Sequence, residues 1–362
     1  MQKLRSVLVI GAGIAGCAMA IALARRGIAV EVIEKQDAWR FQSSGIFVYA
    51  NGLVAFERLG VLAPLVADGF VIPGGRNRYL DWRGEWLTDT VYPAAAGGRI
   101  PAILGIKRAA MHRVLATELT RLGVRVRLGT TVSDVAIDAP RARVRCSDGS
   151  IDAFDLVIGA DGIRSSLRAI AWPELTPRYS GFGVWRSVHD RPPELVDKFM
   201  CFGEGKRLGI MPIAADKLYI FGTIHAPANP RYERADWPAT MRAEFAEFAG
   251  PVRRFLDEVG PTTDVLYTAV EEIVMAPPWH RGPLLLVGDA AHAGTPFMGQ
   301  GGAMAVEDAV VFGGLLDAGL PLAQVLAHFS ARRAPICRFV QDVSRRVGEN
   351  GAQTGPGVLF ID

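Results

Sequence analysis

The sequence predicts a mixed α/β protein in which a doubly wound parallel sheet is interleaved with an antiparallel β-sheet domain and followed by a C-terminal helix. Three observations carry this. An apolar strand-type run near the start leads through closely spaced glycines into an Ala- and Leu-rich stretch. Two more buried-type runs, Asp155–Ala160 and Pro283–Val287, end in Gly/Asp turns that open helices. Between Arg178 and Ile273 the apolar residues alternate with period two, the signature of strands with one buried face.

The first unit is the most informative. Ser6–Ile10 reads as a strand, Gly11-Ala12-Gly13-Ile14-Ala15-Gly16 as a turn, Cys17–Arg26 as a helix, and Ala29–Ile33 as a second strand that runs into Glu34 and Lys35. This is the Rossmann-like dinucleotide fingerprint in its full context. Gly11 permits the tight turn, Gly13 lets the backbone approach a pyrophosphate at the helix N-terminus, and Gly16 allows helix to pack closely on strand. Glu34 can accept hydrogen bonds from both ribose hydroxyls and would repel a 2′-phosphate. The competing reading is a signal peptide, since Lys3 and Arg5 precede an apolar run ending near Ala24. A cleaved segment needs neither glycines at this spacing nor a strand and an acid beyond them.

Composition narrows the class. The 362 residues exceed one small module and suggest two domains at roughly 100–200 residues each. Half the residues are hydrophobic and 21% charged, so an ordered globule is expected. A net charge of +3 without a long basic run gives no reason to expect nucleic acid as a partner. Cys17, Cys146, Cys201 and Cys337 form no Cys-x-x-Cys pair, which removes zinc ribbons and dithiol motifs and fits a reducing, cytoplasmic location. The six histidines show no metal spacing, and no metal is expected. The mean hydropathy of +0.20 is attributed to strands buried on both faces rather than to a membrane span.

The glycine fingerprint does not separate NAD from FAD, but two later segments do. Asp161-Gly162-Ile163-Arg164-Ser165-Ser166-Leu167-Arg168 and Gly288-Asp289-Ala290-Ala291-His292, the latter followed by Thr295-Pro296-Phe297-Met298-Gly299-Gln300-Gly301-Gly302-Ala303, stand after buried strands. Taken alone, Gly288-Asp289 could be an ordinary strand-end turn with a helix cap. The three motifs in this order resemble the single-component FAD-dependent aromatic hydroxylases of the p-hydroxybenzoate hydroxylase type, over Val7 to about Val347. The resemblance implies FAD contacts from Gly11, Gly13, Ile14, Ala15, Gly16, Glu34 and Lys35, and from Arg108 at the pyrophosphate or ribityl chain. It also implies contacts from Val132, Asp161, Asp289 at a ribityl hydroxyl, Pro296, and the Gly299–Ala303 backbone at the pyrimidine edge of the flavin. A helix N-terminus at that edge would favour the negative charge of the reduced flavin by about 0.3–2 kcal/mol.

The FAD domain is expected to be discontinuous, with residues 1–71, 100–177 and 274–320; residues 72–99 and 178–273 form the substrate domain, and 321–362 a helical segment and tail. Arg125–Arg127, Val132–Ile137 and Ala142–Cys146 are expected to form a small meander, and a helix from about Leu322 to Val347 to be kinked or divided at Pro335. Gly351–Asp362 is Gly-rich, expected to be loosely held, and receives no role. A turn at Ala214–Asp216 would place Arg207, Met211, Tyr219 and Phe221 on one face and Leu208, Ile210, Leu218 and Ile220 on the other. The first face suits a ring-shaped ligand, with Arg207 as counter-ion to an anionic one and Tyr219 as hydrogen-bond donor. Arg207 could equally be a solvated surface residue.

Gly203–Arg207 also resembles the matching region of urate hydroxylases in this family, which use an Arg and a Tyr here. Those enzymes carry an Asp after the Thr-Pro of the last motif, whereas this chain has Phe297. The departure puts urate in doubt, and Phe297 with Met298 would favour a flatter, less polar ring. His292 is expected to hold its turn, and His225 is a candidate proton acceptor.

The implied function is hydroxylation of an aromatic or N-heteroaromatic small molecule with O2 and transiently bound NADH or NADPH, through a flavin C4a-hydroperoxide. The resemblance leaves a homodimer open. A flavin reductase or dehydrogenase, or a flavin-binding module without turnover, would show the same motifs. The Trp-x-Trp-x-Ile-Pro motif of flavin-dependent halogenases is absent from the sequence.

Overall fold

The computed structural model describes residues 4–39, 44–138 and 140–352. At its centre lies a six-stranded sheet in which Ser6–Ile10 sits between Ala29–Glu34 and Leu156–Gly159, parallel to both. Leu284–Leu286 extends it in parallel beside Leu156–Gly159, and Arg125–Leu128 beside Ala29–Glu34. His280–Arg281 closes the outer edge in antiparallel pairing. Val7–Ile10 are buried on both faces, which is why this strand is a continuous apolar run. The helix after the glycine turn begins at Ile14, three residues before the expected start, and ends at Ala24. It packs against the helices Gly301–Asp317 and Arg108–Arg121.

Arg125–Leu128 was expected in the meander but joins the parallel sheet instead. The small antiparallel sheet is made by Val132–Asp138, Arg141–Cys146 and Ile151–Phe154. The reason is local: Glu31 on the neighbouring strand forms ion pairs with Arg125 and Arg127, favouring the edge of the parallel sheet.

A seven-stranded sheet runs Val265–Glu272, Arg178–Asp190, Lys217–His225, Lys206–Pro212, Lys198–Gly203, Arg76–Asp81, Trp86–Val91. Only Lys198–Gly203 and Arg76–Asp81 pair in parallel. Within it, Met211 pairs with Tyr219, Gly209 with Phe221 and Arg207 with Thr223, so these residues share one face, as the alternation predicts. Leu208, Ile210, Leu218 and Ile220 take the other face and pack on Phe245, Phe248, Phe255 and Leu256. These four come from a segment read as strands and turns that actually includes the helices Trp237–Glu244 and Arg253–Glu258. Apolar spacing in such short helices is too brief to show a 3.6-residue period.

The terminal helix, Leu322–Ala352, passes through Pro335 undivided. Pro335 is exposed, so the carbonyl it leaves unpaired one turn earlier can meet water. Of the expected loose tail, residues 353–362 lie outside the described residues. All four cysteines are buried thiols. No helix among the described residues is long and apolar enough to cross a membrane.

Candidate active site

A cavity of about 470 Å³ lies between the carboxyl ends of the parallel strands and one face of the seven-stranded sheet. That is where open α/β sheets bind ligands. Gly11, Gly13, Ile14, Ala15, Glu34 and Lys35 line one end. Gly11 adopts φ +99°, and a Cβ there would stand 2.6 Å from the Ala160 carbonyl oxygen, so the turn demands glycine. The helix Ile14–Ala24 has no side-chain cap, which leaves its N-terminal N–H groups directed at the cavity. A Cβ on Gly13 would meet nothing within 4 Å. The Glu34 carboxylate accepts hydrogen bonds from the Ala12 N–H at 2.9 Å and the Gln36 N–H at 3.0 Å, which fixes it at the mouth of the turn.

Further along the wall stand Arg108, Asp161, Asp289, Pro296 and the residues Gly299 to Gly302. Asp161 accepts from the Ser166 N–H at 2.6 Å through one oxygen, while its other oxygen is buried without a partner. Burial raises its pKa, against the pull of Ser165 and the neighbouring N–H groups. The helix Gly301–Asp317 also begins without a side-chain cap. Open space beside Gly13, two uncapped helix starts and an unsatisfied acid form a cradle that fits a dinucleotide.

Four expected site residues are not on the cavity wall. Gly16 faces the turn: a Cβ there would come 1.9 Å from the Gly11 carbonyl oxygen, so it acts through packing. Val132 points into the hydrophobic core, and its neighbour Thr131 lines the cavity instead. Ala303 packs against Gly52. Met211 lies behind the sheet's aromatic layer against Gly105.

The other half of the cavity carries Phe47, Tyr79, Arg186, Lys198, Met200, Phe202, Arg207, Tyr219, Phe221, Thr223, Phe297 and Met298. Arg207 is 8% exposed, which excludes the solvated reading. Its guanidinium stands 5.2 Å from the Phe202 ring centre and 5.5 Å from that of Phe297, and it donates to the Val347 carbonyl at the end of the terminal helix. Tyr219 stacks on Phe221 at 5.3 Å; burial raises its phenol pKa, opposed by Arg186. His225 is exposed at its strand end beside Phe182 and does not line the cavity.

Of the supports behind this wall, the sequence reading assigned a role only to His292, expected to hold its turn. Asp308 is fully buried and accepts from the Gly288 N–H at 2.9 Å, His292 Nε2 at 2.8 Å and Arg333 Nε at 2.7 Å. Burial alone would lower the His292 pKa, but the Asp308 carboxylate overrides it and holds the imidazole up at about 10. His292, Asp308 and Cys337 lie close enough to suggest metal ligands, yet the cation among them is the Arg333 guanidinium. Arg168 joins the two Gly/Asp turns by donating to the carbonyls of Ile163 and Ala290. Ser344 bonds to Thr295, and Gln341 to the carbonyls of Ile273 and Ala293, pinning the segment that leads into Pro296. Arg168 stands in a motif and could have been flagged; Asp308 and Lys198 carry no local signal.

The family model described as FAD binding domain matches residues 5–344. The chain belongs to this family. It is an FAD-dependent monooxygenase of aromatic or heteroaromatic compounds, with FAD as cofactor and NAD(P)H as the family's reductant. It is 33% identical over 361 residues to the 2-heptyl-3-hydroxy-4(1H)-quinolone synthase of Pseudomonas aeruginosa, covering 98% of this chain and 92% of that one. It is also 33% identical over 346 residues to the FAD-dependent urate hydroxylase of Klebsiella pneumoniae, covering 93% and 87%. The crystal structure of Klebsiella pneumoniae HpxO with FAD and uric acid superposes with a TM-score of 0.86 at 29% identity, covering 96% and 89%.

Proposed function

We propose that this monooxygenase hydroxylates a flat, fused N-heteroaromatic ring of lower polarity than urate, with O2 and either NADH or NADPH. The observation that carries this reading is the aromatic wall of Phe47, Phe202, Phe221 and Phe297 in the half of the cavity away from Glu34. The resemblance to urate hydroxylases implies an acid at the position of Phe297, and a Phe side chain cannot hydrogen-bond a purine edge.

FAD, when bound, supplies the redox and oxygen chemistry. The chain's residues bind and orient. Glu34 takes the adenosine ribose, the uncapped helix at Gly13 the pyrophosphate, and Arg108 and Asp289 the ribityl region. The start of the helix Gly301–Asp317 favours negative charge at the flavin pyrimidine edge. Tyr219 holds its proton because its phenol pKa is raised, and so serves as hydrogen-bond donor to the ring. The apolar rings and the terminal helix exclude water. Residues 1–71, 100–177 and 274–320 form the cofactor domain, and 72–99 with 178–273 the substrate domain. The buried free thiols suit a cytoplasmic enzyme.

The test is a panel of hydroxyquinolines, purines, hydroxypyridines and simple aromatic acids, scored by NAD(P)H oxidation, O2 uptake and product mass. Hydroxyquinolines should accelerate NAD(P)H oxidation with stoichiometric O2 uptake. Preference for urate, or double-bond saturation without O2, would sink the proposal. Asp289→Ala should yield protein with lower FAD occupancy in its visible spectrum; full occupancy would refute the ribityl role. Arg207→Ala should raise KM about tenfold with FAD retained. An unchanged KM would refute the counter-ion role of Arg207.

A further inference from the structure

We propose that Lys198 forms an oxyanion subsite for the substrate, separate from Arg207. Its ligand is an aromatic ring carrying a carboxylate or an acidic ring hydroxyl. This rests on the reading that the cavity binds an aromatic substrate.

Strand register sets the layout. Asn77, Lys198, Met211 and Tyr219 form one cross-strand row. Tyr79, Met200, Gly209, Phe221 and Arg186 form the next, and Phe202, Arg207 and Thr223 a third. Lys198 and Phe202 are four residues apart on one strand, so the outer rows stand about 13 Å apart at the backbone. The Phe221 ring lies between them over Gly209, where a Cβ would stand 2.2 Å from the ring. A ring substrate beside Phe221 therefore has a cation toward each end.

Lys198 is 2% exposed on the cavity wall. Its ammonium donates to the Tyr49 hydroxyl at 2.8 Å and stands 4.5 Å from the Phe47 ring centre. A phenol and a ring face both stabilise a buried cation. Among the described residues, those lining this half include the cations Arg186, Lys198 and Arg207, while the lining carboxylates Glu34, Asp161 and Asp289 all lie on the cofactor side. Asn77, in register with Lys198, is 1% exposed, and both polar atoms of its amide lack a hydrogen-bond partner. A ligand oxygen at Lys198 would meet this cation on the cavity wall, with the Asn77 amide in register on the neighbouring strand. The cation lowers the pKa of a ring hydroxyl, so the ring binds as its more electron-rich anion.

The experiment titrates the FAD-loaded enzyme with quinoline, 4-hydroxyquinoline and quinoline-4-carboxylate, following the flavin absorbance. The two oxygenated ligands should bind about 10- to 100-fold tighter than quinoline. Lys198→Met should abolish that preference while leaving FAD retention and the quinoline Kd unchanged, and Lys198→Arg should restore it. Which oxygenated ligand loses more in Lys198→Met distinguishes the carboxylate from the hydroxyl as the group held. If the preference survives in Lys198→Met, or is absent from the wild type, the subsite is refuted while the aromatic cavity stands. If no ligand perturbs the flavin in the wild type, both readings fall.

Discussion

Gly16→Ala is expected to lower FAD affinity by about 100-fold, measured by flavin titration of the apoprotein. The added Cβ would stand 1.9 Å from the Gly11 carbonyl oxygen, and backbone cannot rotate away as a side chain can. The helix Ile14–Ala24 must therefore lift off its strand, carrying its N-terminal N–H groups from the position that meets the pyrophosphate. Gly13→Ala provides the contrast. Its Cβ would meet no protein atom within 4 Å, so the apoprotein should keep wild-type stability while FAD affinity falls. Equal losses of stability in both variants would show that the two glycines act through packing alone.

Asp308→Asn is expected to destabilise the protein by about 3–5 kcal/mol, read from denaturant midpoints. The substitution preserves volume but leaves the buried Arg333 and His292 without the carboxylate that balances them. It also weakens the brace on the Gly288 N–H, so FAD should bind less tightly. A pH signature separates this from a simple packing defect. His292 is raised in the folded state from 6.5 to about 10, so its stabilising contribution is complete below about 6.5 and is lost as pH rises toward 10. The wild type should show this alkaline loss. In Asp308→Asn it should vanish, and its persistence would place the titrating group elsewhere.

The parts of this protein visible in its sequence are those in which local backbone conformation and chemistry coincide. Gly11, Gly13 and Glu34 stand within one strand–turn–helix–strand unit, so their spacing alone implies the dinucleotide site. The Arg207 and Tyr219 face was legible because a short turn and period-two alternation set the register. Two misplacements share a cause. Met211 was assigned to the ligand face by alternation, but whether a residue on that face reaches the cavity depends on what covers it, and Gly105 does. Val132 and Thr131 are neighbours that point opposite ways, and the choice between them is made by the core beneath.

Sequence by itself determined the fold class, a dinucleotide site and the identity of the ligand-facing strands, because those follow from glycine geometry and side-chain period; FAD in particular was implied by the resemblance of the three ordered motifs to a known family. Only the tertiary structure decided what surrounds them. It brought Asp308, His292 and Arg333 together from two helices and a turn, set the end of the terminal helix against Arg207, and aligned Asn77 with Lys198 across strands more than a hundred residues apart. Burial of a charge is a property of its whole neighbourhood. Nothing within a few residues of Lys198 distinguishes it from a lysine in water.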